Sequence, residues 1–312
     1  MSGISLVSAN LAALVVETFF YGIYFILSVI SAVLIFSPSS ATPYSSTYRR
    51  SPSATVKRPI FISAILLFIF VTAHWICDIF RAYQAFVLFE GGVRPSDFYA
   101  DLSQSSKAVK NGLLVASKVT SDATLVYRLW LAWERNSKII IFPTVTLLGL
   151  TIFGVGITYQ VTQVFPGEQL YESSTNRWVT GDCVFTLCTN LYCTVLIVRH
   201  IWKTNDAFKT LGSTSVNNIL ITFIESAMIY TFWSALYFIT YESHSNLQFV
   251  FLDTWAPIAG IAFMLINVRI SLGWTRTYQK ESIIHVRTRY SGDQRPLDSE
   301  DTLSFPPLVH TS

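Results

Sequence analysis

His74, Asp78 and Arg81 recur at helical spacing inside an otherwise apolar run. At about 100° per residue the three share one face of a helix. Other apolar runs carry stripes of the same kind. Glu17, Tyr21, Tyr24, Ser28 and Ser31 align on one face, and Asp182, Thr186, Thr189 and Cys193 on another. Asp253, Pro257, Gly260, Met264, Asn267 and Ser271 form a third stripe. A broader face carries Ser117, Lys118, Ser121, Asp122, Thr124 and Arg128, and a shorter patch carries Asn218, Thr222 and Glu225. Ionisable groups in such surroundings are costly, so they turn toward one another or toward a cavity. Their uses are few: charged-ligand binding, proton relay, or ion pairs that hold helices together.

Depth divides these groups into two layers, taking a rise of about 1.5 Å per residue. Glu17, Asp78, Arg81, Lys118, Asp122, Asp182 and Asp253 fall in one half or near the midplane. Arg128 and Glu225 fall in the other half at similar depth, with Asn267 and Arg269 close by. One reading makes the first layer a polar cavity for a small ligand, lined by Glu17, His74, Asp78, Arg81, Lys118 and Asp122. An Arg128–Glu225 contact would then form an inner latch that ligand binding loosens. The competing reading pairs the charges structurally, Lys118 with Glu17 and Arg81 with Asp78 or Asp122, and needs no ligand.

Catalytic chemistry finds no support in these residues, and the expectation is a protein that is not an enzyme and has no cofactor. A retinal Schiff base needs a lysine in the last apolar run, which has none. A membrane zinc hydrolase needs several intramembrane histidines. His74 is the only one well inside a run, so the sequence supplies no metal site. Neither a nucleophilic triad nor a phosphate-binding loop is present. The four cysteines, Cys77, Cys183, Cys188 and Cys193, all lie in or beside apolar runs and read as buried thiols.

The elements that carry these stripes are membrane spans. Of the 312 residues, 51% are hydrophobic and only 13% charged, against about 25% charged in soluble domains. A span needs roughly 20 mostly apolar residues. Seven runs qualify, at about 11–36, 60–89, 113–134, 139–165, 179–202, 216–242 and 250–273. The fold class is therefore an all-α seven-transmembrane-helix bundle. The run at 113–134 is the least apolar, because it holds Lys118, Asp122 and Arg128. Lysine and arginine set the orientation. Sixteen of them lie at the 1–2, 3–4 and 5–6 connections and in the tail, and four (Arg94, Lys107, Lys110 and Arg177) at the opposite connections. That bias puts the tail in the cytosol and the N-terminus outside.

Residues 1–10 then form a short extracellular segment, 11–273 the membrane domain, and 274–312 a cytosolic tail. Residues 37–58, rich in Ser, Thr and Pro, read as a flexible cytosolic loop. Ile270, Trp274 and Tyr278 suggest an amphipathic start to the tail, followed by a disordered stretch. The partners expected are the lipid bilayer, an extracellular small molecule, and a cytosolic protein at the 3–4 and 5–6 loops and the tail. Basic residues form no stripe for nucleic acid. The plasma membrane is favoured over an internal one.

The segments AHWICDIFRAYQAF (73–86) and SDATLVYRLWLAWERNSKIIIFP (121–143) carry a resemblance. An Arg-Leu-Trp run ends a span at Arg128, Leu129 and Trp130. Trp133 and a short basic turn at Arg135 follow, and the next span has Pro143. In this the chain resembles the uncharacterised seven-span membrane proteins of basidiomycete fungi, over about residues 10–275. The resemblance implies the seven-span fold and no particular activity. Rhodopsin-like receptor signatures are missing: the third span ends VYRLWLAW and the seventh reads LINVRIS. Three functions stay open: a receptor-like bundle for a small ligand, a small-solute or proton-coupled transporter, and a non-catalytic membrane scaffold.

Overall fold

Long apolar runs have few ways to satisfy every peptide group without water, and helix is the local one. The computed structural model describes residues 5–36, 53–101, 104–163, 173–208 and 215–269, all within one compact unit, Met1–Leu272. Among the described residues the regular structure is all helix, with no strand. The first helix, α1, spans Leu6–Phe36, and α2 spans Ser53–Tyr83. From there the path continues through a π-turn, Gln84–Leu88, and a 3₁₀ turn, Phe89–Gly92. Gly92 closes that turn at φ +81°, and a Cβ there would lie 2.2 Å from the Phe86 carbonyl oxygen. Glycine is the residue that fits.

The short α3, Pro95–Ala100, leads into α4, Ser105–Ala132. A tight connection with Glu134 and Arg135 at positive φ leads to α5, Ser137–Gln163. Then come α6, Ser173–Phe208, α7, Ser215–Glu242, and α8, Gln248–Asp253. After one turn residue, Thr254, the last helix, α9, runs over 255–269. The expected amphipathic start of the tail, the tail itself and residues 37–52 of the first loop lie outside the described residues.

Five helical segments are long and apolar enough to cross a membrane: Leu6–Leu34, Pro59–Gly92, Ser137–Gln160, Arg177–Lys203 and Gln248–Arg269. They match the first, second, fourth, fifth and seventh runs expected from sequence. The other two runs correspond to α4 and α7. Each has 28 residues, a length of about 42 Å at 1.5 Å per residue.

What the bundle shows to its surroundings is apolar, and what it encloses is charged. Val15, Phe19, Ile26, Val33, Ile141, Ile152, Val155 and Phe232 stand exposed, while Glu17, His74, Lys110, Lys118, Asp122 and Asp253 are buried. Water as solvent selects the reverse arrangement, and lipid selects this one. The chain is a membrane-embedded helical protein. Two helices organise the interior. α4 packs against α2, α5 and α6. The Gln248–Arg269 segment is 72% buried, against 17–39% for the other four apolar segments, so it runs through the middle. Its Trp255 and Phe263 share the core with Tyr24 of α1 and Tyr237 of α7.

Candidate functional site

Most of the buried basic groups sit on α4. Measured from Ser105 at about 1.5 Å per residue, Lys110 lies roughly 8 Å along the helix, Lys118 roughly 20 Å, Asp122 roughly 26 Å and Arg128 roughly 35 Å. Each meets a different helix, so the polar core is a series of three clusters along α4.

The first cluster, near the start of α4, joins α1, α2, α4 and α8. His74 Nδ1 and Glu17 Oε1 are 2.7 Å apart, with both side chains fully buried. Lys110 bridges Asp78 and Asp253, the latter contact measuring 2.8 Å. Lys107, also buried, holds its ammonium 5.3 Å from the centre of the Phe249 ring. Arg81 turns away from the acids. It donates to Ser106 Oγ at 2.7 Å and Gln104 Oε1 at 3.3 Å, and its guanidinium lies over Phe98.

The second cluster is an ion pair between Lys118 and Asp182 of α6, with the ammonium 4.0 Å from the centre of the Trp255 ring. Low dielectric makes both attractions stronger than at a surface.

The third cluster is a cavity of about 40 Å³ between α4, α6, α7 and α9. Asp122, Arg128, Asn190, Ser226, Tyr230 and Phe263 are among its walls. Arg128 Nη2 donates to Asn267 Oδ1 at 2.5 Å, and the guanidinium lies 5.2 Å from the centre of the Phe263 ring. Asn190 Nδ2 donates to Thr231 Oγ1 at 3.0 Å, whereas Asp122 Oδ2, Arg128 Nε and Nη1, Ser226 Oγ and the Tyr230 hydroxyl have no hydrogen-bond partner among the described residues. Buried polar atoms are nearly always partnered. Five of the exceptions among the described residues line this cavity.

The geometry departs from the sequence reading in several places. Glu17, His74 and Asp78 come together as expected, but Arg81, Lys118 and Asp122 do not join them. Lys118 pairs with Asp182, not Glu17, and Asp122 opens onto the third cluster. The Arg128–Glu225 contact is absent: among the described residues no ion pair joins them, and Glu225 is exposed. The reason is the rotation of α7. Ser226, Tyr230, Ser234, Tyr237 and Tyr241 turn inward, which leaves Glu225 on the outer face. Asn218 and Thr222 of the same expected patch have side chains outside the described residues.

Lys107 and Lys110, read as loop residues, are instead buried in the first two turns of α4. Their carboxylate neighbours come from distant segments, which hydropathy along one segment does not register. One signal was available: with Leu114, Ser117 and Lys118 they extend the α4 stripe at spacings of three and four. Ser226 and Tyr230 gave no such signal. Tyrosine and serine are ordinary residues in a span.

All four cysteines are free, with Cys183 and Cys193 buried and Cys77 and Cys188 half-buried. Compared with known proteins, the chain matches no protein-family model, no curated protein and no solved structure.

Proposed function

We propose that the chain is a receptor-like seven-span membrane protein that binds a small polar ligand at the Asp122–Arg128 cavity. In this reading α4 and α7 cross the bilayer with the five apolar segments. The N-terminus is outside and the tail cytosolic, and the plasma membrane is the site of action. Support for the crossings comes from the length of α4 and α7, and support for the orientation from sixteen basic residues against four. The resemblance to the basidiomycete seven-span proteins agrees with this topology.

One observation carries the ligand reading. An acid and a guanidinium of one helix line the same cavity, and Arg128 Nε and Nη1 have no hydrogen-bond partner among the described residues. A ligand with a cationic or donor group for Asp122 and an anionic or acceptor group for Arg128 would satisfy both. A water needs roughly 10–15 Å³ of such space, so the cavity as it stands suits only a few heavy atoms. A ligand that takes the guanidinium competes with Asn267, and so biases the contact between α4 and α9. That differential affinity is what couples a site to a conformational change. The cytosolic side of the same helices, at the α4–α5 turn, the 5–6 loop and the tail, is where a partner would read it.

The test is a thermal-stability screen of the purified chain against amino acids, short carboxylates and small amines. One chemical class should raise the wild-type melting temperature and fail to raise that of Asp122→Asn or Arg128→Gln. No shift with any class, or a shift retained in both variants, would overturn the proposal. A proton-coupled carrier is the second reading, favoured by the closeness of Glu17, His74 and Asp78. It requires solute flux in proteoliposomes that Asp78→Asn or Asp122→Asn abolishes, and absence of flux sinks it.

A further inference from the structure

The first cluster, apart from any proton relay, has the donor set of an ion site. Glu17, His74 and Asp78 each offer a donor atom, and these atoms lie within 4.8 Å of one another. We propose that the three residues bind a divalent transition-metal ion, clamping α1 to α2.

Geometry is the first argument. Metal–ligand bonds to imidazole and carboxylate are about 2.0–2.2 Å, so three donors around one ion sit roughly 3–4 Å apart. Donors already within 4.8 Å of one another reach that spacing by side-chain movements of about 1 Å. His74 and Asp78 stand one turn apart on α2, the spacing by which a single helix supplies two ligands to one ion. Glu17 comes from α1 and supplies the third.

Free lone pairs are the second. Among the described residues Glu17 Oε2 and Asp78 Oδ2 have no donor facing them, and both residues are more than nine-tenths buried. His74 Nδ1 faces Glu17 Oε1 at 2.7 Å, so an ion seated there would take Nδ1 and the Glu17 carboxylate together, with the Asp78 carboxylate as the third ligand.

Charge is the third. Lys110 pairs with Asp78 and Asp253, and among the described residues no lysine or arginine pairs with Glu17. A divalent cation would give this buried carboxylate a counter-ion. Mixed imidazole and carboxylate donors suit Zn²⁺, Mn²⁺ or Fe²⁺, whereas Mg²⁺ and Ca²⁺ prefer shells of oxygen.

This site is separate from the Asp122–Arg128 cavity, and the experiment keeps the two apart. The full-length chain, purified in detergent and stripped with a chelator, is titrated with Zn²⁺ by calorimetry and with Co²⁺ by visible absorption, with Mg²⁺ as the control. The expected result is one Zn²⁺ per chain, a Co²⁺ spectrum of imidazole–carboxylate ligation, and a higher melting temperature with Zn²⁺. Glu17→Gln and His74→Gln should each weaken Zn²⁺ at least tenfold, while Cys77→Ser and Asp122→Asn leave it unchanged. No stoichiometric Zn²⁺ on the wild-type chain would overturn the proposal. So would undiminished binding in a folded Glu17→Gln or His74→Gln variant, or loss in Cys77→Ser.

Discussion

At the scale of single residues, the buried ions were legible in the sequence and their partners were not. Glu17, Asp78, Lys118, Asp122, Asp182 and Asp253 were identified as inward-facing because each interrupts an apolar run. Pairing depends on how far each helix is rotated and shifted against its neighbour, which one segment's pattern does not contain. Lys118 illustrates the point, since Glu17 and Asp182 were both within plausible depth and only the packed bundle selects Asp182. The selected pair makes a definite prediction. Asp182→Asn strands a buried ammonium and should destabilise the protein by about 3–5 kcal/mol. Replacing both partners, Lys118→Met with Asp182→Leu, should recover most of that loss in the same melting experiment. Glu225→Ala, at an exposed position, should stay within about 0.5 kcal/mol of wild type.

At the scale of elements, the apolar runs were read correctly as helices because length and composition suffice for that. The ends were read less well where charge and burial coincide, as at the start of α4. The central place of the last helix also had a partial sequence signal, in the small residues Gly260, Ala256 and Ala259. Small residues let membrane helices approach closely. At Gly260 a Cβ would lie 2.5 Å from the fully buried Tyr24 ring of α1. Gly260→Ala should therefore force this contact apart, at a cost of about 1–3 kcal/mol. A lowered melting temperature checks it. An unchanged one would mean that α1 and α9 do not pack this closely in the membrane.

For the whole molecule, the inverted distribution of polarity is the main result: apolar side chains outside, charges within, ordered along α4. Composition alone predicted lipid as the solvent. The basic-residue bias adds an orientation, and labelling can test it. In a chain with its native cysteines replaced, Ser5→Cys should react with an impermeant reagent on intact cells. Asn136→Cys, in the α4–α5 turn, should react only after permeabilisation. Labelling of both positions on intact cells would mean that α1 to α4 do not cross as proposed.

The functional claim rests on the third cluster, and its most direct measurement is ligand affinity in variants of the third and first clusters. With the compound class found to stabilise the chain, equilibrium binding is compared among wild type, Asp122→Asn, Arg128→Gln and Glu17→Gln. A charge-assisted hydrogen bond contributes about 1.5–3 kcal/mol, so Asp122→Asn and Arg128→Gln should each weaken binding by roughly 10- to 150-fold. Glu17→Gln should leave it near wild type. Wild-type affinity in both cavity variants, with loss in Glu17→Gln, would move the site to the first cluster and contradict the account.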